Sequence, residues 1–250
     1  MPNLRKVHIF ALIFTGLETE CALCTVNSFP WKGNKCPQGV LFSLLNLRKM
    51  KVMKFGGTSV GSVNSILNLK SIVENAAKTE PIIVVVSALG GVTDKLIKIS
   101  KMAVAGDEAF NEEFQELVAR HHDLIYAVIT EEQKRNALLQ EVDTLLNQLQ
   151  NIYLGLSLIN NTTPKTEATV VSYGERLSSR IVTALIDGAV RFNSRKYIKT
   201  ETKHHKYILA DEATDKLIQE YFSEHHDQIT VAPGFISSDK DSGETTNLGR

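Results

Sequence analysis

Residues 81–87 read Pro-Ile-Ile-Val-Val-Val-Ser, an unbroken run of mostly β-branched residues. A run of this kind indicates a strand buried on both faces, as strands are in a parallel sheet covered by helices. Gly90 and Gly91 follow the run, and Thr93 or Asp94 is placed to cap a helix after them. The stretch therefore predicts a strand, a glycine turn and a helix in succession.

The same order of elements occurs on the amino-terminal side of this run. Residues 51–55 predict a strand that ends at Gly56 and Gly57, and residues 62–77 predict a helix with one apolar face. Alternating strands and helices favour an α/β fold, in which helices cover both sides of a mainly parallel sheet. Ligands of such sheets bind at the carboxyl ends of the strands. The two glycine turns are therefore the first candidates for a binding site.

On the carboxyl-terminal side, helical patterns come before further strands. Asp107 is placed to cap a helix that runs to about residue 128, and Thr130 with Gln133 predicts a capping box for the next helix, which ends at the loop 160–165. The remaining predictions are helices at 167–187 and 211–223, strands at 190–198 and 228–236, and a polar hairpin at 237–248.

The composition is that of an ordinary globular protein. Of the 250 residues, 43% are hydrophobic and 22% are charged, and the formal net charge is zero. This balance gives no sign of a polyanion-binding surface, so nucleic acid is not expected as a partner. Residues 51–250 contain no cysteine. They therefore need no disulfide framework and suit the reducing cytoplasm.

Residues 1–49 differ from the rest of the chain. Their apolar run, residues 8–17, is too short to span a bilayer, and Glu18 follows where a signal peptide would have small residues. We interpret the segment as an atypical leader that is disordered or precedes the true start of translation at Met50 or Met53. An export signal is the alternative interpretation.

No metal site is predicted from the cysteines and histidines. Cys21, Cys24 and Cys36 supply three thiols, whereas a closed zinc site usually has four ligands. Most of the histidines form adjacent pairs, whose side chains point in different directions and suit a metal poorly. We expect these to be surface residues: His121, His122, His204, His205, His225 and His226.

The first candidate site is the motif Lys-Phe-Gly-Gly-Thr-Ser at residues 54–59. Glycines let the backbone approach a ligand closely, and successive backbone N–H groups at the start of a helix attract anions. Lys54 adds a positive charge at the same place, which suits a polyphosphate. The motif is not a Walker A loop, because its lysine precedes the glycines. A tight turn beside an edge lysine is the structural alternative.

Four further residues, in three parts of the sequence, carry groups that bind small polar ligands. Ser87 and Thr93 flank the second glycine turn, and Glu175 lies beside Gly174 inside a predicted helix, where glycine is unfavourable. A helical glycine suggests that something approaches closely. Arg195 lies near the end of a predicted strand, and a guanidinium is the natural partner of a carboxylate. An ordinary turn, a solvated helix and a surface arginine are the respective structural alternatives.

Taken together, the motifs resemble those of the aspartokinases, which are a group within the amino acid kinases. The overall sequence pattern is most similar to that of the bifunctional aspartokinase/homoserine dehydrogenases. The similar stretches are Lys-Phe-Gly-Gly-Thr-Ser-Val (54–60), Val-Ser-Ala-Leu-Gly-Gly-Val-Thr (86–93), Gly-Glu-Arg-Leu-Ser-Ser-Arg (174–180), Pro-Gly-Phe-Ile-Ser (233–237) and Gly-Glu-Thr-Thr-Asn-Leu-Gly-Arg (243–250). The resemblance implies the carbamate kinase-like fold, a three-layer αβα sandwich.

The resemblance also implies roles for the candidate residues. On the ATP side, Lys54 would steady the phosphoryl group in transfer, Gly56, Gly57 and Thr58 would form the phosphate loop, and Ser59 would lie where the two substrates meet.

On the side of the acceptor, the resemblance implies that Ser87, Thr93 and Glu175 line the aspartate site, with Glu175 facing the substrate ammonium group. Arg195 would bind a substrate carboxylate.

The implied reaction transfers the γ-phosphate of ATP, with Mg²⁺, to the β-carboxylate of L-aspartate. The product is 4-phospho-L-aspartate, the first intermediate towards lysine, threonine and methionine. The acceptor is already ionised near neutral pH, so no general base is needed. The resemblance further implies a cytoplasmic homo-oligomer in the full-length protein, without membrane contact.

The chain departs from the family at Arg250, where its members continue into a further glycine-rich loop. The resemblance therefore implies that residues 50–250 are the amino-terminal part of a catalytic domain, truncated at the carboxyl end. Such a part is expected to be inactive alone and to leave a sheet edge or apolar surface uncovered. Two alternatives stay open: a kinase for another acidic acceptor, such as glutamate or N-acetylglutamate, and a non-catalytic ligand-binding module.

Overall fold

A computed structural model describes residues 50–203 and 206–248. The predictions for residues 1–49, His204 and His205 lie outside these residues. The described elements, in chain order, are β1 (Lys51–Phe55), α1 (Gly57–Val60), α2 (Val63–Ala76), β2 (Ile82–Val86), α3 (Val92–Val104), α4 (Phe110–Val128), α5 (Glu132–Ile159), α6 (Pro164–Leu185), β3 (Ala189–Arg191), α7 (Ser194–Tyr197), β4 (Lys199–Lys203), β5 (Lys206–Leu209), α8 (Asp211–Glu224), β6 (Ile229–Pro233), β7 (Ile236–Asp239) and β8 (Thr245–Asn247).

A parallel sheet lies at the centre of the fold. Its strand order is β1-β2-β6-β3, and each neighbouring pair is parallel. The register aligns Phe55 with Val86 and Val86 with Pro233. Three strands therefore end at the same level, and the turns that follow them meet at one edge of the sheet.

Helices cover both faces of this sheet, as the run at residues 81–87 predicts. Every residue of β2 is buried. Ile82, Val84 and Val86 pack in a large apolar cluster with α2 to α6, whereas Ile83 and Val85 pack on the other face in a smaller cluster with α7 and α8. The alternation along one strand produces the two cores of a three-layer sandwich, and the predicted fold class is confirmed.

A second, smaller sheet has the strand order β5-β4-β7-β8. The antiparallel pair β7–β8 confirms the hairpin predicted at 237–248. The strand predicted at 228–236 is instead divided between the two sheets. Gly234 donates a backbone hydrogen bond to Val86 (2.8 Å), and Phe235 turns the chain with φ +57°.

The strand predicted at 190–198 is wrong beyond its beginning. β3 ends at Arg191, and α7 follows because Ser194 donates its hydroxyl hydrogen bond to Pro233 O (2.7 Å), a contact distant in sequence. The antiparallel β4–β5 pair that follows has no counterpart among the strands predicted from the sequence.

The helices agree better with prediction than their caps do. Ser62 caps α2 and forms a reciprocal pair with Ser65. The residue before α5 is Glu131, which makes no side-chain cap, so the capping box of Thr130 and Gln133 is wrong. Gly91, at φ +80°, precedes α3 in place of Thr93 or Asp94. None of the described helices is long and apolar enough to cross a membrane.

Candidate functional site

The two glycine turns touch each other at the carboxyl edge of the parallel sheet. Gly90 donates a backbone hydrogen bond to Gly57 O (2.9 Å). A Cβ atom on Gly57 would lie 3.2 Å from the Cα of Gly90, and one on Gly61 would lie 2.8 Å from Gly57 O. Close packing of the turns therefore explains these glycines without a ligand.

Gly56 is different from its neighbours. Its φ of −77° is open to any residue, and a Cβ atom there would meet nothing within 4 Å. Neither backbone strain nor packing among the described residues requires a glycine at this position. The space beside Gly56 is therefore open among the described residues. Thr58, two residues further along, is exposed.

Lys54 points along the same edge. It is an exposed residue of β1, and its Nζ lies 4.7 Å from the centre of the Phe235 ring, which follows β6. A ring face at this distance attracts an ammonium group. The contact joins the end of β1 to the turn after β6 and keeps the positive charge of Lys54 near the first glycine turn.

Helix α6 packs directly on the second glycine turn. A Cβ atom on Gly174 would lie 2.6 Å from the Cβ of Ala88, so the close approach suggested by a helical glycine is the approach of this turn. One helical turn further on, Ser178 donates a hydrogen bond from its hydroxyl to Ser87 O (2.7 Å). These two contacts hold α6 against the turn on both sides of Glu175.

Glu175 is therefore a buried residue, with 5% of its surface exposed. The alternative of a solvated helix face is wrong at this position. A carboxylate is costly to bury, so Glu175 is a feature to be explained. Ser87 lies on the second glycine turn, against which α6 packs. Thr93 is half-buried and lies at the start of α3, directly after this turn.

Arg195 lies on α7, at the side of this assembly. Its Nη1 donates a hydrogen bond to Thr245 Oγ1 (3.1 Å), and its carbonyl oxygen accepts one from Ser238 Oγ (2.7 Å). Burial and the nearby positive charge of Arg176 lower the pKa of Arg195. Arg195 is thus a partly buried cation beside another cation, where an anionic group would be stabilised.

A second arginine supports the turns and was not predicted from the sequence. Arg120, on α4, donates a hydrogen bond from Nη2 to Gly90 O (2.7 Å). It therefore holds the second turn through the Gly90 carbonyl, whereas Gly57 accepts the hydrogen bond from the Gly90 N–H. The contact depends on how α4 packs against α3, so no local pattern in the sequence indicates it.

The expectation that the paired histidines lie on the surface is wrong for His121. This side chain is fully buried on α4, and its Nδ1 lies 2.7 Å from Leu117 O. Burial lowers its pKa to about 4. His225 and His226 are exposed, as expected, and His122 contacts Asp143 at 2.7 Å.

The fold and these contacts define a class of protein. A parallel α/β sheet carries two glycine turns at its carboxyl edge beside a lysine, and a buried glutamate lies on the helix that packs against the second turn. In open α/β sheets this edge is the usual position of a ligand site. The sequence profile of the amino acid kinase family matches residues 49–250. The chain belongs to this family.

Several relatives are aspartokinases. The chain is 27% identical over 215 residues to aspartokinase 1, chloroplastic, of Arabidopsis thaliana, covering 80% of this chain and 35% of that protein. It is 27% identical over 217 residues to the bifunctional aspartokinase/homoserine dehydrogenase of Buchnera aphidicola, covering 80% of this chain and 25% of that protein. The chain thus spans about a third of the first relative and a quarter of the second.

Solved structures give the same picture. Aspartokinase III of Escherichia coli in complex with lysine and aspartate superposes with a TM-score of 0.65 at 26% identity, over 80% of this chain and 44% of that one. The same enzyme in complex with aspartate and ADP superposes with a TM-score of 0.68 at 24% identity, over 81% and 44%. The amino acid kinase fold is therefore shared over most of this chain.

Proposed function

We propose that the chain is the amino-terminal part of an aspartate kinase, which transfers the γ-phosphate of ATP to the β-carboxylate of L-aspartate and forms 4-phospho-L-aspartate. The observation that carries this proposal is the burial of Glu175 against the second glycine turn, at the sheet edge to which Lys54 also belongs. Relatives named aspartokinases support the choice of acceptor.

In this proposal the charges of the site match those of the reactants. An anionic carboxylate attacks an anionic phosphate, so the protein must neutralise both groups and hold them in line. Lys54 and the backbone of Gly56, Gly57 and Thr58 serve the phosphate, with Ser59 at the junction. No general base is required, because the aspartate side chain is already ionised near neutral pH.

Four residues serve the acceptor. Glu175 binds the α-ammonium group of aspartate, and the interaction offsets the cost of burying the carboxylate. Arg195 binds a substrate carboxylate, which its partly buried position beside Arg176 favours. Ser87 and Thr93 donate hydroxyl hydrogen bonds on the same side.

We propose that Mg²⁺ enters with ATP. No group of three or more His, Cys, Asp or Glu side chains that would hold a metal occurs among residues 50–203 and 206–248. Mg²⁺ is commonly bound by substrate phosphates together with one or two carboxylates. The ion would offset the negative charge of the phosphates.

The extent of the protein is part of the proposal. Residues 1–49 are an atypical leader that is disordered or precedes the true start of translation, and residues 50–250 are the amino-terminal part of the catalytic domain. The chain of 250 residues is then expected to bind aspartate without turning over ATP. We also propose a homo-oligomer in the reducing cytoplasm, the latter because residues 51–250 lack cysteine.

Calorimetric titration of the chain with L-aspartate, L-glutamate and N-acetyl-L-glutamate tests the acceptor. L-Aspartate should bind most tightly, and Glu175→Gln should lose this binding because the ammonium group loses its counter-charge. Lys54→Ala should still bind aspartate, since Lys54 serves the phosphate. Tighter binding of another acid, or unchanged binding in Glu175→Gln, contradicts the assignment.

Trapping of the acyl phosphate with hydroxylamine tests the reaction. With ATP and Mg²⁺, any longer form of the protein should yield a hydroxamate that requires aspartate and vanishes in Lys54→Ala. The chain of 250 residues should yield none. Hydroxamate formed by Lys54→Ala at the wild-type rate would exclude the role of Lys54, and hydroxamate formed with glutamate alone would favour the other acidic acceptor.

A further inference from the structure

A cavity of about 400 Å³ lies between α5, α6 and β3. Its volume is within the usual range for sites that bind small molecules. Its charged lining residues are Lys134 and Glu141 from α5, Arg180 from α6 and Arg191 from β3. None of the candidate kinase residues lines it, so it is a separate feature of the molecule.

Arg180 is the most deeply placed charge of the cavity. Its side chain is 16% exposed, and its Nη1 donates a hydrogen bond to Arg176 O (2.9 Å). Its Nε lies 3.4 Å from a Glu141 oxygen, without the geometry of a hydrogen bond. Glu141 is 60% exposed, and pairs with so exposed a partner contribute little. Arg180 is therefore poorly compensated for a group so far from water.

The other two cations of the lining, Arg191 and Lys134, also have little negative charge near them. No carboxylate among the residues described lies within ion-pair distance of Arg191. Lys134 lies 3.2 Å from Asp187, but that carboxylate also serves Lys70 at 3.8 Å. The lining alone carries three positive charges against one negative charge.

The pKa of Arg180 supports the same conclusion, because it also reflects positive charges outside the lining of the cavity. Burial and the positive charges of Arg191 and Arg176 lower the pKa of Arg180 to about 10. Glu141 opposes this shift, and Arg195 adds a smaller lowering. A guanidinium with this pKa still carries its charge at neutral pH. The repulsion is therefore present in the folded protein unless an anion relieves it.

We propose that this cavity binds the phosphate group of a small anionic molecule. Two guanidinium groups from different elements and one ammonium group surround the space, and guanidinium forks match the oxygens of phosphate. A dianion would offset the excess charge of the lining. The site is distinct from the sheet edge of the kinase proposal and does not depend on it.

The test measures the thermal unfolding of the chain in increasing concentrations of sodium phosphate, against sodium chloride at equal ionic strength and pH. Phosphate should raise the Tm along a saturable curve, because a ligand of the folded state stabilises it by mass action. Sodium chloride should not. Equal responses to the two salts would overturn the proposal.

Variants place the response in the cavity. Arg180→Met and Arg191→Met should each weaken the apparent Kd for phosphate roughly tenfold, as expected for a lost charge-assisted hydrogen bond. Glu141→Gln should tighten it, because the only lining carboxylate repels the anion. Arg191 is exposed, so its variant remains informative if Arg180→Met does not fold.

Two control variants separate the cavity from the rest of the surface and from the first glycine turn. Lys216→Met removes an exposed positive charge on α8 and should leave the phosphate response unchanged. Lys54→Ala removes phosphate binding at the first glycine turn, and the response that this variant retains is the one assigned to the cavity. Loss of the response in Lys54→Ala, or its persistence in both arginine variants, would overturn the site. A stronger response to succinate than to phosphate would overturn the choice of ligand.

Discussion

Gly174 is the residue at which α6 comes closest to the second glycine turn. The position of a Cβ atom there is 2.6 Å from the Cβ of Ala88. Real Cβ atoms do not approach so closely, and Ala88 has no longer side chain that could rotate away. The burial of Glu175 and the hydrogen bond between Ser178 and Ser87 both depend on this approach.

Gly174→Ala should therefore destabilise the protein even though alanine is the better helix former. We expect a loss of about 1–3 kcal/mol in the free energy of unfolding from overpacking, measured by urea denaturation. The matched control is Gly155→Ala on α5, where a Cβ atom would meet nothing within 4 Å. This control should gain about 0.5–1 kcal/mol. Equal effects of the two changes would contradict the packing argument.

The sequence indicated several site residues but not their supports. Lys54, Glu175 and the glycine turns were found because their types and spacing carry chemical meaning. Arg120 was not, since it contacts the second turn through packing between distant elements, and the contact of Phe235 with Lys54 was not predicted either. A side chain that reaches a backbone carbonyl thirty positions away, as Arg120 does with Gly90, leaves no local pattern.

At the scale of elements, α4 buries an ionisable group. His121 lies at helical spacing with Phe114, Leu117 and Leu124, on the face that enters the large apolar cluster. Adjacent histidines do not indicate which of the two faces the core. The periodicity of α4 does indicate it, and the surface assignment overlooked that signal.

The buried His121 predicts a loss of stability in mild acid. Its pKa is about 4 in the folded protein and about 6.5 in an unfolded chain. The unfolded chain therefore binds the extra proton first, and stability falls as pH drops from about 6.5 to about 4, by up to about 3 kcal/mol. Urea denaturation across this pH range measures the loss.

His121→Leu should flatten this dependence, because the leucine has no proton to bind. The exposed His226 supplies the control, and His226→Gln should keep the wild-type slope. An unchanged slope in His121→Leu would assign the acid sensitivity to other groups.

Element types were predicted better than element ends. The strand β2 follows from its unbroken β-branched run, since it is buried throughout. The helices α2, α4 and α5 follow from apolar periodicity, because each buries a continuous stripe. The ends depend on partners from elsewhere in the fold. Ser194 stops the extended chain after β3 through its bond to Pro233, and Gly234 divides the last predicted strand through its bond to Val86.

At the scale of the whole molecule, the described part of the chain carries both cores. The larger cluster is built from α2 to α6 and the parallel sheet, and the smaller cluster extends from Met50 to Leu248. The convergence of the glycine turns was predictable at this scale, because parallel strands end at a common edge.

If residues 1–49 are the leader that the sequence indicates, a chain that begins at Met50 should be as stable as the chain that begins at Met1. We expect their free energies of unfolding then to agree within about 0.5 kcal/mol, the usual effect of changes that remove no core contact. Urea denaturation of both chains measures the difference. A loss of several kcal/mol in the shorter chain would show that residues 1–49 belong to the fold.

The contact between Lys54 and Phe235 also allows the candidate site to be followed by fluorescence. The only tryptophan of the sequence is Trp31, so Trp31→Phe leaves tyrosine as the intrinsic fluorophore. Adding Phe235→Trp to this background would place an indole ring beside the Lys54 ammonium group. Indole emission responds to nearby charge, so its colour and intensity would report when an anion draws that ammonium group away from the ring.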